Sequence, residues 1–291
     1  MAILQHKKVS VVIPNYNYAR YLRKRIKSIL KQTYPIYELI ILDDCSSDNS
    51  IKIIKDEIEK IKIRFPKTKV KFIENSVNSG KPIAQWKKAF SEASGDYVWI
   101  AEADDLSDSN FLSDVMKGFD DPDVVLSYSE SMIINRIGMM ITPNFRWSRD
   151  REKTGHFKNS YSKEGNDEIC EIMAIRCTIP NVSAVVFKKD PKIPFFRYLD
   201  QSLNFLQVGD WFFYASVLKH GKIHYVSKSL NRFRVHYDSI TGKSKKNRKH
   251  FDEVVAMHKM FDEQFALKEN VKVAMRNEEQ RLKNKYGIIE K

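Results

Sequence analysis

Three acidic residues, Glu102, Asp104 and Asp105, stand together directly after an apolar run at 97–101. Carboxylates at the end of a buried strand repel one another and lose hydration, so they are costly unless a cation or positively charged groups compensate them. Hard divalent ions prefer oxygen ligands, and Mg²⁺ is typically bound by one or two carboxylates together with substrate phosphates. The segment therefore predicts a metal-assisted phosphate site, and the alternative is a solvated acidic turn that caps a helix near residue 109.

Polar segments at 15–17, 43–48 and 75–81 also follow apolar runs. Each of them alone would be an ordinary loop. In a doubly wound sheet, however, ligands bind beyond the carboxyl ends of the strands, and these segments would meet the acidic one at that edge. The four segments together therefore predict one binding site.

The elements that must position these residues alternate along the first 130 residues. Short β-rich apolar runs predict strands at 9–13, 39–42, 70–73, 97–101 and 124–128. Apolar residues at helical spacing predict helices at 18–32, 49–63, 82–93 and 109–119. This alternation predicts an α/β fold with a doubly wound, mostly parallel sheet flanked by helices.

The pattern is looser after residue 130. We expect a mobile loop or insertion at 135–168, a strand at 182–187 and a helix at 210–219. The segments 223–226 and 231–235 predict paired strands, 243–250 a basic linker, and 251–285 one or two helices with Phe251, Val254, Val255, His258, Phe261 and Phe265 on one face. We therefore expect a main domain over 1–242, with halves at about 8–130 and 131–242, and a helical C-terminal extension over 243–291.

The formal net charge of +13 is concentrated at the two ends of the chain. Residues 1–35 carry 8 basic and no acidic side chains, 243–291 carry 13 basic and 8 acidic, and the residues between carry 29 of each. Basic chains favour nucleic acid, an anionic membrane or a phosphate-bearing substrate. The neutral middle and the lack of a recognisable nucleic-acid motif argue against nucleic acid.

The cysteines and the hydropathy of the chain bear on its compartment. The three cysteines, Cys45, Cys170 and Cys177, have neither a disulfide framework nor the spacing of a zinc site. The chain has no run of 18 apolar residues, so we expect no membrane span, and the first residues do not resemble a signal peptide. We therefore expect a reducing, cytoplasmic setting.

Four segments of the chain resemble the motifs of family 2 glycosyltransferases, in the family's order. They are Val-Ser-Val-Val-Ile-Pro-Asn-Tyr-Asn at 9–17, Leu-Asp-Asp-Cys-Ser-Ser-Asp-Asn-Ser at 42–50, Asn-Ser-Gly-Lys-Pro at 78–82 and Glu-Ala-Asp-Asp at 102–105. The resemblance covers about residues 8–240. It implies the GT-A fold, a nucleotide-diphosphate sugar donor with UDP or dTDP favoured, and transfer with inversion at the anomeric carbon.

The resemblance assigns the nucleotide site to three strand-end segments. Pro14, Asn15 and Tyr16 match the turn that lines the nucleotide. Asp44 matches the carboxylate that accepts a hydrogen bond from the base, a role that suits an imide N–H donor. Lys81 would contact the diphosphate or the base. Asp43, beside Asp44, is expected to be a structural partner.

The resemblance also assigns the metal site. The acidic segment matches the family's DxD motif, with Asp104 facing the ribose or sugar and Asp105 ligating Mn²⁺ or Mg²⁺; Glu102 stands where the family usually has Asp. Residues 234–241 resemble a segment written RxHxxSxT. His236 would be a third metal ligand or a donor to the β-phosphate, and Arg234 a charge clamp.

A further segment, Val-Gly-Asp-Trp-Phe-Phe at 208–213, resembles the family's acceptor-site motif. Asp210 would be the general base that takes the proton of the acceptor hydroxyl, and the alternative is a residue that caps a helix. Trp211 would offer a stacking face to a sugar or belong to the core. At 85–87 the chain has Gln-Trp-Lys where many members carry Arg-Asn.

Two other functions compete with the transferase. A sugar nucleotidyltransferase shares the strand–helix beginning, but it would carry a glycine-rich loop with Arg or Lys after the first strand, where this chain has Pro-Asn-Tyr-Asn-Tyr. A non-catalytic nucleotide- or membrane-binding homologue would not need Asp44, Asp104, Asp105 and Asp210 together.

The resemblance implies a place in bacterial surface-polysaccharide biosynthesis, such as capsule or the O-antigen of lipopolysaccharide. The acceptor would be a glycan or a lipid-linked glycan at the inner face of the plasma membrane. The basic first helix (Arg20, Arg23, Lys24, Arg25, Lys27 and Lys31) and residues 243–250 would then face an anionic membrane.

Overall fold

The computed structural model of the protein describes residues 6–236 and 248–288. Within them the strands are β1 (Val9–Asn15), β2 (Glu38–Asp43), β3 (Lys69–Glu74), β4 (Tyr97–Ile100), β5 (Leu106–Ser107), β6 (Val124–Ile134), β7 (Met140–Thr142), β8 (Tyr161–Glu164), β9 (Val185–Lys188) and β10 (Lys222–Arg234). The α-helices are α1 (Ala19–Leu30), α2 (Ser50–Arg64), α3 (Pro82–Glu92), α4 (Phe111–Val115), α5 (Arg146–Arg149), α6 (Gly165–Glu168), α7 (Phe195–Ser202), α8 (Gly209–Leu218), α9 (Arg248–Gln264) and α10 (Glu269–Tyr286). Tighter or wider helical turns lie at Met116–Asp120, Ile169–Met173 and Val182–Ala184. The predicted α/β alternation is confirmed.

The strands form one mixed sheet in the order β3-β2-β1-β4-β9-β6-β10-β5. Strands β1 to β4 are parallel, and so is the long pairing of β6 with β10. Strand β9 runs antiparallel to both β4 and β6 and so joins the two parallel parts. The short strands β7 and β8 pair with β6 and β10 outside this path.

The two faces of the sheet hold separate apolar cores. Every residue of β1 and β2 is buried, which explains why these strands read as continuous apolar runs. On one face α1 packs its residues Leu22, Ile26 and Ile29. On the other face α3, α7, α8 and the C-terminal helices share the second core. The carboxyl ends of β1, β2, β3 and β4 therefore open on one edge between two layers of helices.

The second half of the chain differs from the prediction in two places. The predicted pair of strands at 223–226 and 231–235 is wrong, because β10 is one strand that pairs along its length with parallel β6. Register shifts between Val226 and Asn231 absorb the polar residues that look like a turn in the sequence. Residues 135–168, predicted as a loop, contain β7, α5, β8 and α6. Strand β7 forms a hairpin with the end of β6, and β8 pairs with the distant β10.

The C-terminal helices α9 and α10 pack into the same core as α8. Phe251, Val254, His258 and Phe261 are buried, in agreement with the predicted apolar face, while Val255 and Phe265 are half-buried. The carboxylate of Glu253 accepts hydrogen bonds from the backbone N–H groups of the two residues that precede Val208. The predicted boundary at residue 242 and most of the predicted linker lie outside the described residues.

The basic residues of α1 do not all face solvent as predicted. Arg25 is fully buried, donates a hydrogen bond to Ser107 Oγ at 2.8 Å and lies over the ring of Trp99. Arg23 forms an ion pair with Glu57 on α2. The remaining four are exposed. Across 6–236 and 248–288, none of the helices combines the length and the apolar character that crossing a bilayer requires.

Candidate active site at the carboxyl edge of the sheet

The loops after β1 and β2 are tied together by side-chain hydrogen bonds. Asn15 is buried, and its Nδ2 donates to Asp43 Oδ2 at 2.7 Å and to Ser46 Oγ at 3.2 Å. Asn17, at a φ of 56°, accepts the backbone N–H of Ser47 on its Oδ1. Asp43 is therefore the structural partner that the sequence predicted, and Asn15 is a brace between the two loops.

Among the three residues predicted to line the nucleotide, exposure differs sharply. Pro14 is buried within β1, where it pairs with Leu42 of β2. Asn15 is engaged with Asp43. Tyr16 is 47% exposed at the edge where the strands end. Of the three, only Tyr16 therefore presents its side chain to solvent at this edge.

Asp44 is held by donors from two later segments of the chain. Its Oδ1 accepts hydrogen bonds from Asn75 Nδ2 at 2.7 Å and from Gln85 Nε2 at 2.8 Å. Its Oδ2 accepts one from Ser79 Oγ at 2.7 Å, and the backbone N–H of Ser79 lies 3.0 Å from Oδ1. Gln85 lies at 85–87, where this chain departs from the residues that many family members carry. Its hydrogen bond to Asp44 is seen only in the folded structure.

Asp44→Ala should lower the free energy of unfolding by about 2 kcal/mol, because it removes the carboxylate that accepts hydrogen bonds from buried Gln85, half-buried Asn75 and exposed Ser79. Urea denaturation followed by circular dichroism measures this change. Asp56→Ala, at an exposed carboxylate of α2, is the matched control and should change stability by less than about 0.5 kcal/mol. Equal destabilisation by the two variants would contradict the bracing role of Asp44.

The acidic segment 102–105 lies between β4 and β5 and carries unbalanced negative charge. Glu102 accepts a hydrogen bond from Trp86 Nε1 at 2.8 Å, yet burial and the neighbouring Asp104 raise its pKa to about 8. Burial and Asp104 also raise the pKa of Asp105 to about 7, against the opposing effect of buried Arg25. Three crowded carboxyl groups of this kind are the donor set that a divalent cation would compensate.

The end of β10 closes over the acidic segment. Asp105 is buried, and its Oδ1 accepts the backbone N–H of Arg234 at 2.8 Å. Asp104 is partly exposed, and its Oδ2 lies 3.0 Å from His236 Nε2. His236 packs against the rings of Tyr18 and Tyr21. The end of β10 thus brings His236, a predicted metal ligand, against Asp104, which is predicted to face the ribose or sugar, and places Arg234 on Asp105, the other predicted metal ligand.

A bound cation would need further oxygen ligands. Across the two described parts of the chain, no three His, Cys, Asp or Glu side chains are already grouped so that they could hold a metal ion. Mg²⁺ and Mn²⁺ commonly complete their shells with water and substrate phosphates. The residues present therefore fit an ion that binds together with a diphosphate.

Arg234 connects the acidic segment to the turn after β6. Its Nε donates to the carbonyl oxygen of Asp104 at 2.6 Å, and its Nη1 donates to those of Asn135 and Arg136. The guanidinium also lies 4.8 Å from the ring centroid of Tyr21. These contacts make Arg234 a positioning residue for the acidic segment. Residues 237–241 of the same predicted motif lie outside the described residues.

Asp210 lies in the first turn of α8, on the other face of the sheet. Gly209, the residue before it, packs closely against Ser202. A Cβ added to Gly209 would lie 2.7 Å from the carbonyl oxygen of Ser202. Asp210 is half-buried, and its Oδ1 accepts the backbone N–H of Trp211. Burial, followed by the charge of Asp210, raises the pKa of Tyr214 well above 10.

Trp211 lies in the core, whereas Lys81 is exposed and joins two segments of the chain. Trp211 is 3% exposed, donates from Nε1 to the carbonyl oxygen of Met173 at 3.0 Å and packs on Phe261 of α9. It belongs to the core, and the prediction of a sugar-stacking face is wrong. Lys81 donates from Nζ to the carbonyl oxygen of Leu203, which ties the loop before α3 to the end of α7. A contact of Lys81 with the nucleotide stays a prediction.

Known proteins similar to this chain are glycosyltransferases. A curated relative from Nostoc, an uncharacterized glycosyltransferase, is 38% identical over 119 residues, which are 40% of this chain and 34% of that protein. The putative teichuronic acid biosynthesis glycosyltransferase TuaG of Bacillus subtilis is 39% identical over 97 residues, covering 33% of this chain and 36% of the relative. The poly(ribitol-phosphate) β-N-acetylglucosaminyltransferase TarS of Staphylococcus aureus is 31% identical over 116 residues, 39% of this chain. The chain thus spans about a third or less of the length of these relatives.

Two solved structures show the fold of nearly the whole chain. TarS 1–349 from S. aureus in complex with UDP-GlcNAc matches with a TM-score of 0.66 and 18% identity, over 96% of this chain and 73% of that one. The mannosyltransferase PcManGT from Pyrobaculum calidifontis, in complex with GDP-Man and Mn²⁺, matches with a TM-score of 0.61 and 16% identity, over 96% and 70%. The fold is GT-A, as the resemblance implied.

The family model described as glycosyl transferase family 2 matches residues 10–177. This segment is more than half of the chain and holds the four strand-end segments that surround the site. The chain therefore belongs to glycosyl transferase family 2.

Proposed function

We propose that this protein transfers a sugar from a nucleotide-diphosphate sugar, UDP or dTDP favoured, to an acceptor hydroxyl, with inversion at the anomeric carbon. The observation that carries the proposal is the crowding of Glu102, Asp104 and Asp105 at the carboxyl ends of the strands, where burial raises the pKa values of Glu102 and Asp105. The acidic segment suits the donor diphosphate. Asp210, in the first turn of α8, would be the base for the second substrate.

The donor would lie over the ends of β1, β2 and β4. Tyr16 and Asp44 would contact the base, and Asp104 and Asp105 with His236 would hold Mn²⁺ or Mg²⁺ beside the diphosphate. The partly exposed position of Asp104 supports a direct ligand role for it as well as for the predicted Asp105. The ion would offset the negative charge of the departing diphosphate. The Mn²⁺ in the PcManGT structure supports a divalent metal in this fold.

The residues of this chain would act on the acceptor in one displacement. Asp210 would accept the proton of the acceptor hydroxyl as that oxygen forms a bond to the anomeric carbon. The bond between that carbon and the diphosphate oxygen breaks in the same step, and the electron pair leaves with the diphosphate. Attack from the face opposite the leaving group inverts the configuration.

The names of similar proteins support a role in cell-surface polysaccharide assembly. TarS acts on poly(ribitol-phosphate), and TuaG is assigned to teichuronic acid biosynthesis. By analogy the acceptor of this protein would be a growing glycan or a lipid-linked glycan. Capsule and lipopolysaccharide O-antigen belong to the same class of acceptor.

The proposal is tested by thermal denaturation with UDP, dTDP or GDP, each with and without Mn²⁺, followed by a panel of nucleotide sugars. We expect one nucleotide to raise the melting temperature only when the metal is present, and its sugar to be transferred or slowly hydrolysed. The absence of a metal-dependent shift with every nucleotide would argue against the transferase.

A further inference from the structure

The turn between β6 and β7 presents apolar side chains to solvent. Ile137 is 70% exposed, Met139 59%, Met140 62% and Ile141 54%. We call residues 137–141 the apolar hairpin tip. Contiguous exposed apolar side chains of this size mark an interaction surface more often than an ordinary loop.

One face of α1 carries a row of cations. Arg20, Lys24, Lys27 and Lys31 are spaced by four, three and four residues, which places them on one side of a helix. All four are exposed, and none of them forms an ion pair with another residue in the described parts of the chain. We call these four residues the cationic stripe.

The two features share one surface. A cavity of about 260 Å³ lies between α1 and the hairpin. It is lined by Arg20, Tyr21, Lys24, Arg136, Ile137 and Arg234. The beginning of the cationic stripe therefore faces the beginning of the apolar hairpin tip, with the exposed Arg136 between them.

We propose that this surface docks on an anionic lipid bilayer, with the apolar hairpin tip in the interfacial region and the cationic stripe and Arg136 on the lipid phosphates. Apolar side chains beside unpaired cations are the combination that holds a protein at such an interface. A free anion would explain the cations but not the exposed Ile and Met side chains. A second copy docked through the same surface would cover these cations without pairing them, since neither the cationic stripe nor the apolar hairpin tip contains an acidic side chain.

Docking at this surface would also orient the candidate active site. Arg234 donates hydrogen bonds to the carbonyl oxygens of Asn135 and Arg136 in the hairpin and to that of Asp104 in the acidic segment. A hairpin seated in the lipid interface therefore places the acidic segment close to the membrane plane. An acceptor carried on lipid would reach the site without leaving the bilayer.

The test is co-sedimentation of the full chain with vesicles of phosphatidylcholine alone and with 30% phosphatidylglycerol, at low and high salt. We expect binding to the anionic vesicles that high salt weakens. Lys24→Glu/Lys27→Glu should reduce the partition coefficient by about 30-fold or more. Ile137→Ser/Met139→Ser/Met140→Ser should reduce it at least about tenfold while the net charge stays the same.

Matched controls lie on α7 and just before it, on the opposite face of the sheet. Lys192→Glu/Arg197→Glu makes the same charge change, and Phe196→Ser removes a side chain that is 46% exposed. Both should bind vesicles like the wild type. Equal loss in the controls, or no binding to anionic vesicles at low salt, overturns the proposal. A hairpin variant that alters the oligomeric state in sedimentation velocity, with vesicle binding unchanged, also overturns it in favour of an interface between copies.

Discussion

Asp210→Asn is expected to lower the rate of sugar transfer by about 10²- to 10⁴-fold while the affinity for the nucleotide stays near that of the wild type. An amide cannot accept the proton of the acceptor hydroxyl, and loss of a positioned base typically costs this much. The amide still has an oxygen that can accept the N–H of Trp211, so the start of α8 is preserved. Rates are measured with the donor and acceptor found in the nucleotide-sugar panel, and affinity by calorimetric titration.

Asp200→Asn is the control for this experiment. Asp200 is an exposed carboxylate in α7 that pairs with Lys87, so its loss removes the same charge near the same helices. We expect a transfer rate within twofold of the wild type. If Asp210→Asn turns over as fast as Asp200→Asn, Asp210 is a helix-start residue and another group accepts the proton.

The second large effect concerns the acidic segment. Asp104→Asn and Asp105→Asn should each weaken Mn²⁺-dependent nucleotide binding by about 100-fold or more, because each removes an anionic oxygen that a hard cation prefers. Asparagine at 105 can still accept the backbone N–H of Arg234, so the variant separates the metal role from the fold. Binding is titrated with and without Mn²⁺.

Asp120→Asn serves as the control here, since its side chain is 76% exposed and pairs with Lys7 away from the site. It should bind metal and nucleotide as the wild type does. Loss confined to Asp104→Asn would assign the ion to the less buried carboxylate and leave Asp105 as a support for β10. Unchanged metal dependence in both acidic-segment variants would remove the metal site from the proposal.

The parts of the fold that were predictable depend on local patterns. Apolar runs and helical spacing locate β1 to β4, the first part of β6 and the helices α1 to α4, because most of these strands are buried on both faces and the helices on one. They miss the two-residue β5 and the last six residues of β6. The polar strand ends also predict that residues such as Asp44 and Asp105 converge, since parallel strands end at one edge. Local patterns suffice where the spacing of the apolar residues within an element already shows which of its faces are buried.

The remainder depends on contacts between distant parts of the chain. The bond of Gln85 to Asp44 and that of Arg234 to Asp104 join elements 41 and 130 residues apart, and neither side chain carries a local signal of its partner. The sequence does not decide whether Trp211 stacks on a sugar or belongs to the core, because only the folded structure shows that α9 covers it. The sequence predicts two strands where the structure has β10 alone, because the polar residues between them form bulges that depend on the pairing with β6.

The packing of Trp211 has a consequence for how this protein can diversify. The family match ends at residue 177, yet the proposed base follows at 210, and the adjacent indole is fixed by Met173 on one side and by Phe261 of α9 on the other. The segment that would bind the acceptor is thus anchored on both sides of the end of the matched region. If the proposed function holds, chimeras exchanged near residue 178 should carry acceptor choice with the C-terminal portion only when the contact of Met173 with Trp211 is kept.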